Sequence, residues 1–98
     1  MTVEKKIENE KITLIISGRL DTQTAPELEK ELDNLEETCT ELIFAMSDLA
    51  YISSAGLRVI LKAQKYMNTK GEMKLTGVNE SVMEVFEVTG FLDILTIE

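Results

Sequence analysis

The sequence predicts an α/β fold with a mixed, mostly parallel sheet of four to five strands. Strand-like and helix-like segments alternate in the order strand, strand, helix, strand, helix, strand, helix, strand. Such alternation implies parallel strand pairing through right-handed crossovers. Residues 42–46 (LIFAM) form a nearly unbroken apolar run, which is typical of an interior strand of a parallel sheet. Only a short polar turn separates the first two strands, so we expect the first strand to be antiparallel to the second.

The N-terminal part of the chain is predicted to form a hairpin followed by a helix. The strands are predicted at residues 3–7 and 12–17, and Gly18 is expected to end the second strand. Thr24 can cap the first helix, with Glu27 three residues later as in a capping box. Leu28, Leu32 and Leu35 recur on one helix face, opposite a largely acidic face.

The C-terminal part continues with two further strand–helix units and a last strand. Ser47 and Asp48 are expected to end the third strand, and the second helix is predicted to run to about residue 68. Residues 72–76 alternate between apolar and polar types, as in a strand with one buried face. A third helix is predicted between a capping Asn79 and Gly90. Residues 92–97 are predicted to form the final strand.

Composition sets limits on domain number and on function. The 98 residues fit one domain, spanning residues 1–98, and 44% of them are hydrophobic. The net charge of −8, from 18 acidic and 10 basic residues, argues against nucleic acid and anionic membranes as main ligands. No apolar run approaches the roughly 20 residues that span a bilayer, and the N-terminus lacks the apolar core of a secretory signal. We therefore expect a cytoplasmic protein, monomeric when free.

The residues needed for common catalytic and metal sites are missing. The chain has no His and a single cysteine, Cys39. A Ser-His-Asp hydrolase is thereby excluded, and a zinc site lacks ligands. No Gly-rich phosphate-binding motif is present. We expect a protein that is not an enzyme and that has no metal or cofactor, with Cys39 packed beside a buried strand.

The segment 48–61 (DLAYISSAGLRVIL) carries the most informative motif. Ser53 and Ser54 lie at the predicted start of the second helix, where a Ser is a favoured N-cap. A helix N-terminus also tolerates a phosphate dianion, so one of the two hydroxyls is alternatively a phosphate acceptor. Gly56 is unfavourable inside a helix by roughly 1 kcal/mol, which suggests close approach by another backbone or by a partner.

Two loops are expected to meet at the carboxyl ends of neighbouring strands, where α/β proteins place function. One carries residues 19–21 after the second strand, and the other carries residues 48–54 after the third. Parallel pairing of these strands would bring Asp21 towards Ser53 and Ser54.

The whole chain resembles a STAS domain of the anti-sigma-factor antagonist (anti-anti-sigma factor) type, found in bacterial sporulation and stress regulation. The resemblance lies in DLAYISSAGLRVIL, in SGRLD at residues 17–21, and in GFLDIL at residues 90–95. It implies that Ser54 is the phosphorylated serine, as its spacing to Gly56 and Leu57 matches the family pattern. Ser53 is the second choice, because a serine stands here where the family often has Asp. It also implies that Asp21 is the family's acidic residue near the acceptor.

The resemblance further implies a partner-switching function. The unphosphorylated antagonist would bind an anti-sigma factor that is itself a serine kinase, and thereby free the sigma factor. Phosphorylation at Ser54 would block binding, and a metal-dependent serine phosphatase would reverse it. The expected partner-binding residues are Asp21, Ser53, Ser54, Ala55, Gly56, Leu57 and Arg58.

Other functions are compatible with the same sequence. The chain could be a STAS adaptor subunit of a stressosome-like or lipid-transport complex, in which no sigma factor takes part. A small-ligand binder or enzyme using Asp21, Asp48 and Ser54 is disfavoured by the missing His. Weak nucleotide binding is left open by the sequence.

Overall fold

Four strands and three helices make up the computed structural model, which describes residues 1–98. The strands are β1 (Thr2–Glu8), β2 (Lys11–Leu20), β3 (Glu41–Ile52) and β4 (Glu72–Thr76), and the helices are α1 (Ala25–Asp33), α2 (Ser54–Met67) and α3 (Glu80–Thr89). The strands lie in the order β1-β2-β3-β4 in one sheet. β1 is antiparallel to β2, whereas β2, β3 and β4 are parallel. The predicted α/β fold, with its antiparallel first strand, is confirmed.

The hydrophobic core lies on one face of this sheet. Since β2, β3 and β4 follow one another in the same direction across the sheet, right-handed crossovers place α1 and α2 on the same face. The register aligns buried side chains of the three strands in rows beneath these helices. The rows are Ile12, Leu42 and Met73, and then Leu14, Phe44 and Leu75.

Strands β2 and β3 both extend further than the sequence predicts. Gly18 does not end β2, which continues to Leu20, and Ser47 and Asp48 do not end β3, which continues to Ile52. The pairing of β2 with β3 shifts register twice, each time with one extra residue in β3. Each bulge leaves an extra residue facing outwards, so burial in the second half of β3 recurs every third residue. A search for strict alternation of apolar and polar residues therefore does not detect this part of β3.

The structure confirms the predicted Asn79 cap at α3 and a serine cap at α2, which it assigns to Ser53, but not the predicted cap at α1. The side chains of Ser53 and Asn79 accept hydrogen bonds from backbone N–H groups in the first turns of α2 and α3. Thr24 makes no such bond, so the predicted capping box is wrong. Its hydroxyl instead accepts from the backbone N–H of Asp21 at 2.8 Å. α3 ends at Gly90, whose φ of 79° suits a residue without a side chain.

Residues 92–97 do not form the predicted last strand. Most of the segment lies in turns, and only Ile97 forms an isolated parallel bridge, with Leu75 at the edge of β4. The segment is nevertheless anchored, because Leu95 is buried in the core and Leu75 exchanges backbone hydrogen bonds with Thr96 and Glu98. The apolar residues in this stretch therefore reflect packing rather than a regular strand.

Cys39 is buried in the core, with only 2% of its surface exposed. Burial raises the pKa of its thiol above the ordinary value. A raised thiol pKa disfavours the reactive thiolate. The structure therefore agrees with the predicted packing role for Cys39.

Candidate functional site

The predicted site residues come together where β2 and β3 end side by side. Leu20 is paired with Ile52 in the sheet register, and the backbone N–H of Ser53 donates to the carbonyl oxygen of Leu20 over 2.9 Å. The chain enters α1 and α2 from these two strand ends. We call the surface formed here by Arg19, Asp21, Tyr51, Ser53 and Ser54 the Ser54 edge.

The hydroxyl of Ser53 has a structural role at the start of α2. Ser53 has an extended backbone, with φ of −98° and ψ of 174°, as expected of an N-cap residue. Its Oγ accepts a hydrogen bond from the backbone N–H of Gly56 at 3.3 Å, and the residue is half-buried. Modification of this oxygen would remove the cap of α2.

Ser54 differs from Ser53 in each of these respects. It is the first residue of α2 and is exposed. The Ser54 hydroxyl makes no hydrogen bond with another part of the chain, whereas the Ser53 hydroxyl does. The positive end of the helix dipole lies at this position, where negative charge is favoured. An attacking or modifying group can therefore reach the Ser54 oxygen without breaking an internal contact.

The carboxylate of Asp21 organises its own turn. It accepts hydrogen bonds from the backbone N–H groups of Gln23, at 3.0 Å, and of Thr24, at 3.1 Å. The bond from the Thr24 backbone is the largest cause of a lowered pKa, so the carboxyl group is ionised over a wider pH range than usual. No hydrogen bond joins it to Ser53 or Ser54. Asp21 lies one residue beyond the Leu20–Ser53 bond, so the two loops are adjacent as predicted, but the carboxylate is engaged elsewhere.

Gly56 and Leu57 are buried and make contacts within the fold. A Cβ atom at Gly56 would lie 2.6 Å from Cγ and 2.9 Å from the carbonyl oxygen of Leu20, closer than real Cβ contacts allow. Glycine therefore lets α2 pack against the end of β2. Leu57 is only 3% exposed and belongs to the core. The two residues hold the start of α2 in place and present almost no surface to a partner.

Ala55 and Arg58 complete the set of predicted partner-binding residues. Ala55 is partly buried, whereas Arg58 is exposed and forms no salt bridge. Arg58 follows Ser54 by four residues, so both lie on the same face of α2. The outward-facing members of the set are thus Ser54 and Arg58, with Asp21 and Ser53 half-buried beside them.

Arg19 and Tyr51 form a contact at the Ser54 edge that the sequence did not predict. Their backbones are paired in the sheet, and the Arg19 guanidinium carbon lies 4.2 Å from the centroid of the Tyr51 ring. The same guanidinium lies 3.9 Å from Oδ2 of Asp21. Tyr51 is 41% exposed. Exposed Arg and Tyr are the residue types that dominate binding energy at many protein interfaces.

Neither a metal site nor a membrane-crossing helix is found in the structure. No three Cys, Asp or Glu side chains converge so as to hold a metal ion. None of the helices combines the length and the apolar character that crossing a membrane requires.

Comparison with known proteins gives matches along nearly the whole chain. The family model of the STAS domain matches residues 2–98. The anti-sigma-B factor antagonist of Bacillus subtilis (strain 168) is 31% identical over 98 residues, a match that covers 99% of this chain and 90% of that protein.

Solved structures of low sequence identity share the fold. An anti-sigma factor antagonist from Mycobacterium paratuberculosis superposes with a TM-score of 0.88 at 16% identity, covering 98% of this chain and 83% of that one. The Bacillus cell fate determinant SpoIIAA in its phosphorylated form gives a TM-score of 0.77 at 15% identity, covering 99% and 91%. Its unphosphorylated form gives 0.78 at 14% identity, covering 99% and 87%.

The fold is that of a small α/β domain in which α1 and α2 cover one face of a mixed sheet, and in this chain an exposed serine begins α2. Within the class of small α/β domains the comparisons are specific. The chain belongs to the STAS domain family, as the resemblance in its sequence predicted.

Proposed function

We propose that this chain is an anti-sigma-factor antagonist that works by partner switching. In the unphosphorylated state it binds an anti-sigma factor, which then releases its sigma factor. The proposal is supported by membership of the STAS family and by a relative of 31% identity named as an anti-sigma-B factor antagonist. In this scheme the chain has no catalytic residues and needs no cofactor, since the partner enzymes supply ATP and metal.

We assign phosphorylation to Ser54. The observation that carries this assignment is the contrast between two adjacent hydroxyls: the Ser53 oxygen caps α2, whereas Ser54 is exposed and makes no internal hydrogen bond. A kinase can approach Ser54 without uncapping the helix. The phosphate would sit at a helix N-terminus, where its charge is tolerated by the fold.

The physical basis of the switch is the charge added to a contact surface. Phosphorylation adds a charge of about −1.5 to −2 at neutral pH. If docking removes water from Ser54, an unpaired buried charge costs several kcal/mol. A loss of about 3 kcal/mol weakens binding by more than about a hundredfold, because each 1.4 kcal/mol corresponds to a factor of ten. No rearrangement of the fold is required.

Each residue of the predicted partner-binding set has a part in this scheme. Ser54 and Arg58 would contact the partner directly, together with the exposed parts of Asp21, Ser53 and Ala55. Gly56 and Leu57 would act by holding the start of α2 against β2. The proposed partners are an anti-sigma factor with serine kinase activity and a metal-dependent serine phosphatase. We place the protein in the cytoplasm, as a monomer when free, without nucleic acid or membrane as ligands.

The site assignment is tested with the serine kinase of the same regulatory system and ATP, followed by mass spectrometry. Ser54→Ala should abolish incorporation of phosphate and still bind the kinase. Ser53→Ala is the matched control, because it removes the adjacent hydroxyl and should still accept one phosphate. Phosphate located on Ser53 would overturn the assignment.

Asp21→Asn should reduce phosphorylation more than it reduces thermal stability, and equal losses would count against the role of Asp21 near the acceptor.

The proteins that copurify with the chain distinguish this function from an adaptor role. An adaptor subunit would associate with its assembly whether or not Ser54 is modified. For an anti-sigma-factor antagonist, mass spectrometry should identify the kinase-type anti-sigma factor among the copurified proteins. A larger scaffold assembly without that factor would support the adaptor role.

A further inference from the structure

The chain contains two arginines, and only one of them is already engaged within the fold. The Arg19 guanidinium carbon lies 4.2 Å from the centroid of the Tyr51 ring, and Nε of Arg19 lies 3.9 Å from Oδ2 of Asp21. Arg58 is exposed, and its guanidinium has no salt bridge, hydrogen bond or aromatic partner. An anion added at the start of α2 can therefore pair with Arg58 without displacing an existing contact.

Helix α2 carries three cations, Arg58, Lys62 and Lys65, and no acidic residue. Lys62 is paired with Glu29 of α1, with 3.2 Å between Nζ and Oε2. The two lysines follow Ser54 by about 12 and about 16 Å along the helix axis, whereas Arg58 follows it by about 6 Å, at 1.5 Å per residue. Surface charges interact over roughly 8–10 Å at physiological ionic strength. Of the three cations, only Arg58 lies within that range of position 54.

The direction of helical side chains brings Arg58 towards Ser54. Side chains on an α-helix lean towards its N-terminus, and residues four positions apart have Cβ atoms about 5–6 Å apart. The favourable order of an ion pair at this spacing has the anion nearer the N-terminus. A guanidinium also binds phosphate through two parallel N–H donors. The Arg58 guanidinium can therefore reach a phosphate on Ser54 across the first turn of α2.

We propose that Arg58 is the counter-ion of a phosphate on Ser54, and that phosphorylation thereby withdraws Arg58 from the docking surface. Before modification both side chains face outwards, and the guanidinium can pair with a carboxylate of the partner. After modification the phosphate holds the same guanidinium. Phosphorylation then changes two contact groups, because it adds an anion and removes a cation. This inference rests on the proposed modification of Ser54 and describes how that modification acts.

NMR spectroscopy of the isolated chain tests the ion pair in the absence of any partner. Phosphoserine is introduced at position 54 by genetic encoding, so no kinase has to recognise the site. Since the chain has two arginines, two Nε–H signals are expected, and Arg58→Gln assigns them. The Arg58 signal should move when the phosphate is present, whereas the Arg19 signal should stay in place. Movement of the Arg19 signal alone, or of neither signal, would overturn the proposal.

The pKa of the phosphate gives a second readout with a matched control. A nearby cation favours the dianion and lowers the second pKa of phosphoserine, which is ordinarily about 6. Measured by ³¹P NMR, Arg58→Gln should raise this pKa by at least about 0.3. Lys65→Gln removes an equal charge from an exposed position about three turns from residue 54, and should change the pKa by less than about 0.1.

The other groups near the phosphate are common to all these variants. The dipole of α2, Arg19 and Asp21 are the same in each chain, so their effects on the phosphate pKa cancel in the comparison. Glutamine has a helix propensity close to those of arginine and lysine, so α2 is preserved. Equal phosphate pKa values in the natural chain and in Arg58→Gln would contradict the ion pair.

Withdrawal of Arg58 from docking is tested with the unphosphorylated chain and the anti-sigma factor. Arg58→Gln should weaken binding at least about threefold, whereas Lys65→Gln should change it by less than about twofold. Equal affinities of the natural chain and Arg58→Gln would show that Arg58 makes no docking contact, and the proposal would be wrong. If no anti-sigma factor binds any form of the chain, the proposed function fails, whereas the two NMR measurements still decide whether Arg58 pairs with the phosphate.

Discussion

Leu20 and Ser53 are joined by a 2.9 Å hydrogen bond, in which the Ser53 backbone N–H donates to the Leu20 carbonyl oxygen. This bond closes the junction between β2 and β3 at the point where the chain turns into α2. Gly56 packs against the same Leu20 residue. These two contacts with Leu20, together with the cap that the Ser53 side chain provides to the Gly56 N–H, set the position of Ser54.

Gly56→Ala should destabilise the protein although alanine is the better helix former. The added Cβ would lie 2.6 Å from Leu20 Cγ, and overpacking of this kind costs about 1–3 kcal/mol. The gain in helix propensity offsets about 1 kcal/mol of that. We expect a net loss of up to about 2 kcal/mol in the free energy of unfolding, measured by urea denaturation.

A double-mutant cycle with Leu20→Ala identifies the cause of this loss. If the clash with the Leu20 side chain is responsible, Gly56→Ala should cost at least about 0.5 kcal/mol less in the Leu20→Ala background. Additive costs would show that the Leu20 side chain is not the obstacle.

The two serines should respond differently to removal of their hydroxyls. Ser53→Ala should lower the free energy of unfolding by about 1 kcal/mol, because the cap on the Gly56 N–H is lost. Ser54→Ala should change it by less than about 0.5 kcal/mol, since an exposed hydroxyl without partners is removed. Thermal or urea denaturation of the two variants checks this, and equal losses would contradict the distinct roles of the two hydroxyls.

The contribution of Asp21 should depend on pH. Its pKa in the folded chain is lowered from 3.8, mainly by the hydrogen bond from the Thr24 backbone N–H. A carboxyl group with a depressed folded pKa stabilises the fold above its unfolded pKa, and this contribution is lost as pH falls through the folded pKa. The stability difference between the natural chain and Asp21→Ala should thus be full at pH 7 and shrink below about pH 4. A difference that is constant from pH 7 to pH 3 would refute this.

Cys39 should react slowly with thiol reagents while the chain is folded. The side chain is 2% exposed, and burial raises its pKa. Labelling with a chromogenic disulfide reagent is expected to be slower in buffer than in denaturant by more than about tenfold, since only a thiolate in contact with the reagent reacts. Equally fast labelling in both conditions would show that the thiol is accessible in the native state.

Much of the fold follows from local patterns in the sequence, and the exceptions have physical causes. The clean alternation of residues 72–76 and the caps Ser53 and Asn79 depend on neighbours in sequence, so they could be predicted. The extension of β3 to Ile52 could not, because two bulges change the spacing of its buried residues. At residues 92–97 the apolar residues pack on the core without regular pairing.

Part of the site could also be predicted from the sequence. The neighbouring ends of β2 and β3 follow from parallel pairing, so the adjacency of Asp21 and the serines could be foreseen. The contact of Gly56 with Leu20 and the stacking of Arg19 on Tyr51 depend on register between distant segments. Gly56 inside a predicted helix indicated a close approach, but residue spacing within a single segment could not identify Leu20 as its neighbour or pair Arg19 with Tyr51.

The central claim is that a phosphate on Ser54 prevents docking, and the affinity of the kinase-type anti-sigma factor for the two forms of the chain tests it most directly. Isothermal titration calorimetry should give a dissociation constant at least about a hundredfold larger for the Ser54-phosphorylated chain than for the unmodified chain. Equal dissociation constants for the two forms would contradict the switch and leave Ser54 as an ordinary first residue of a helix.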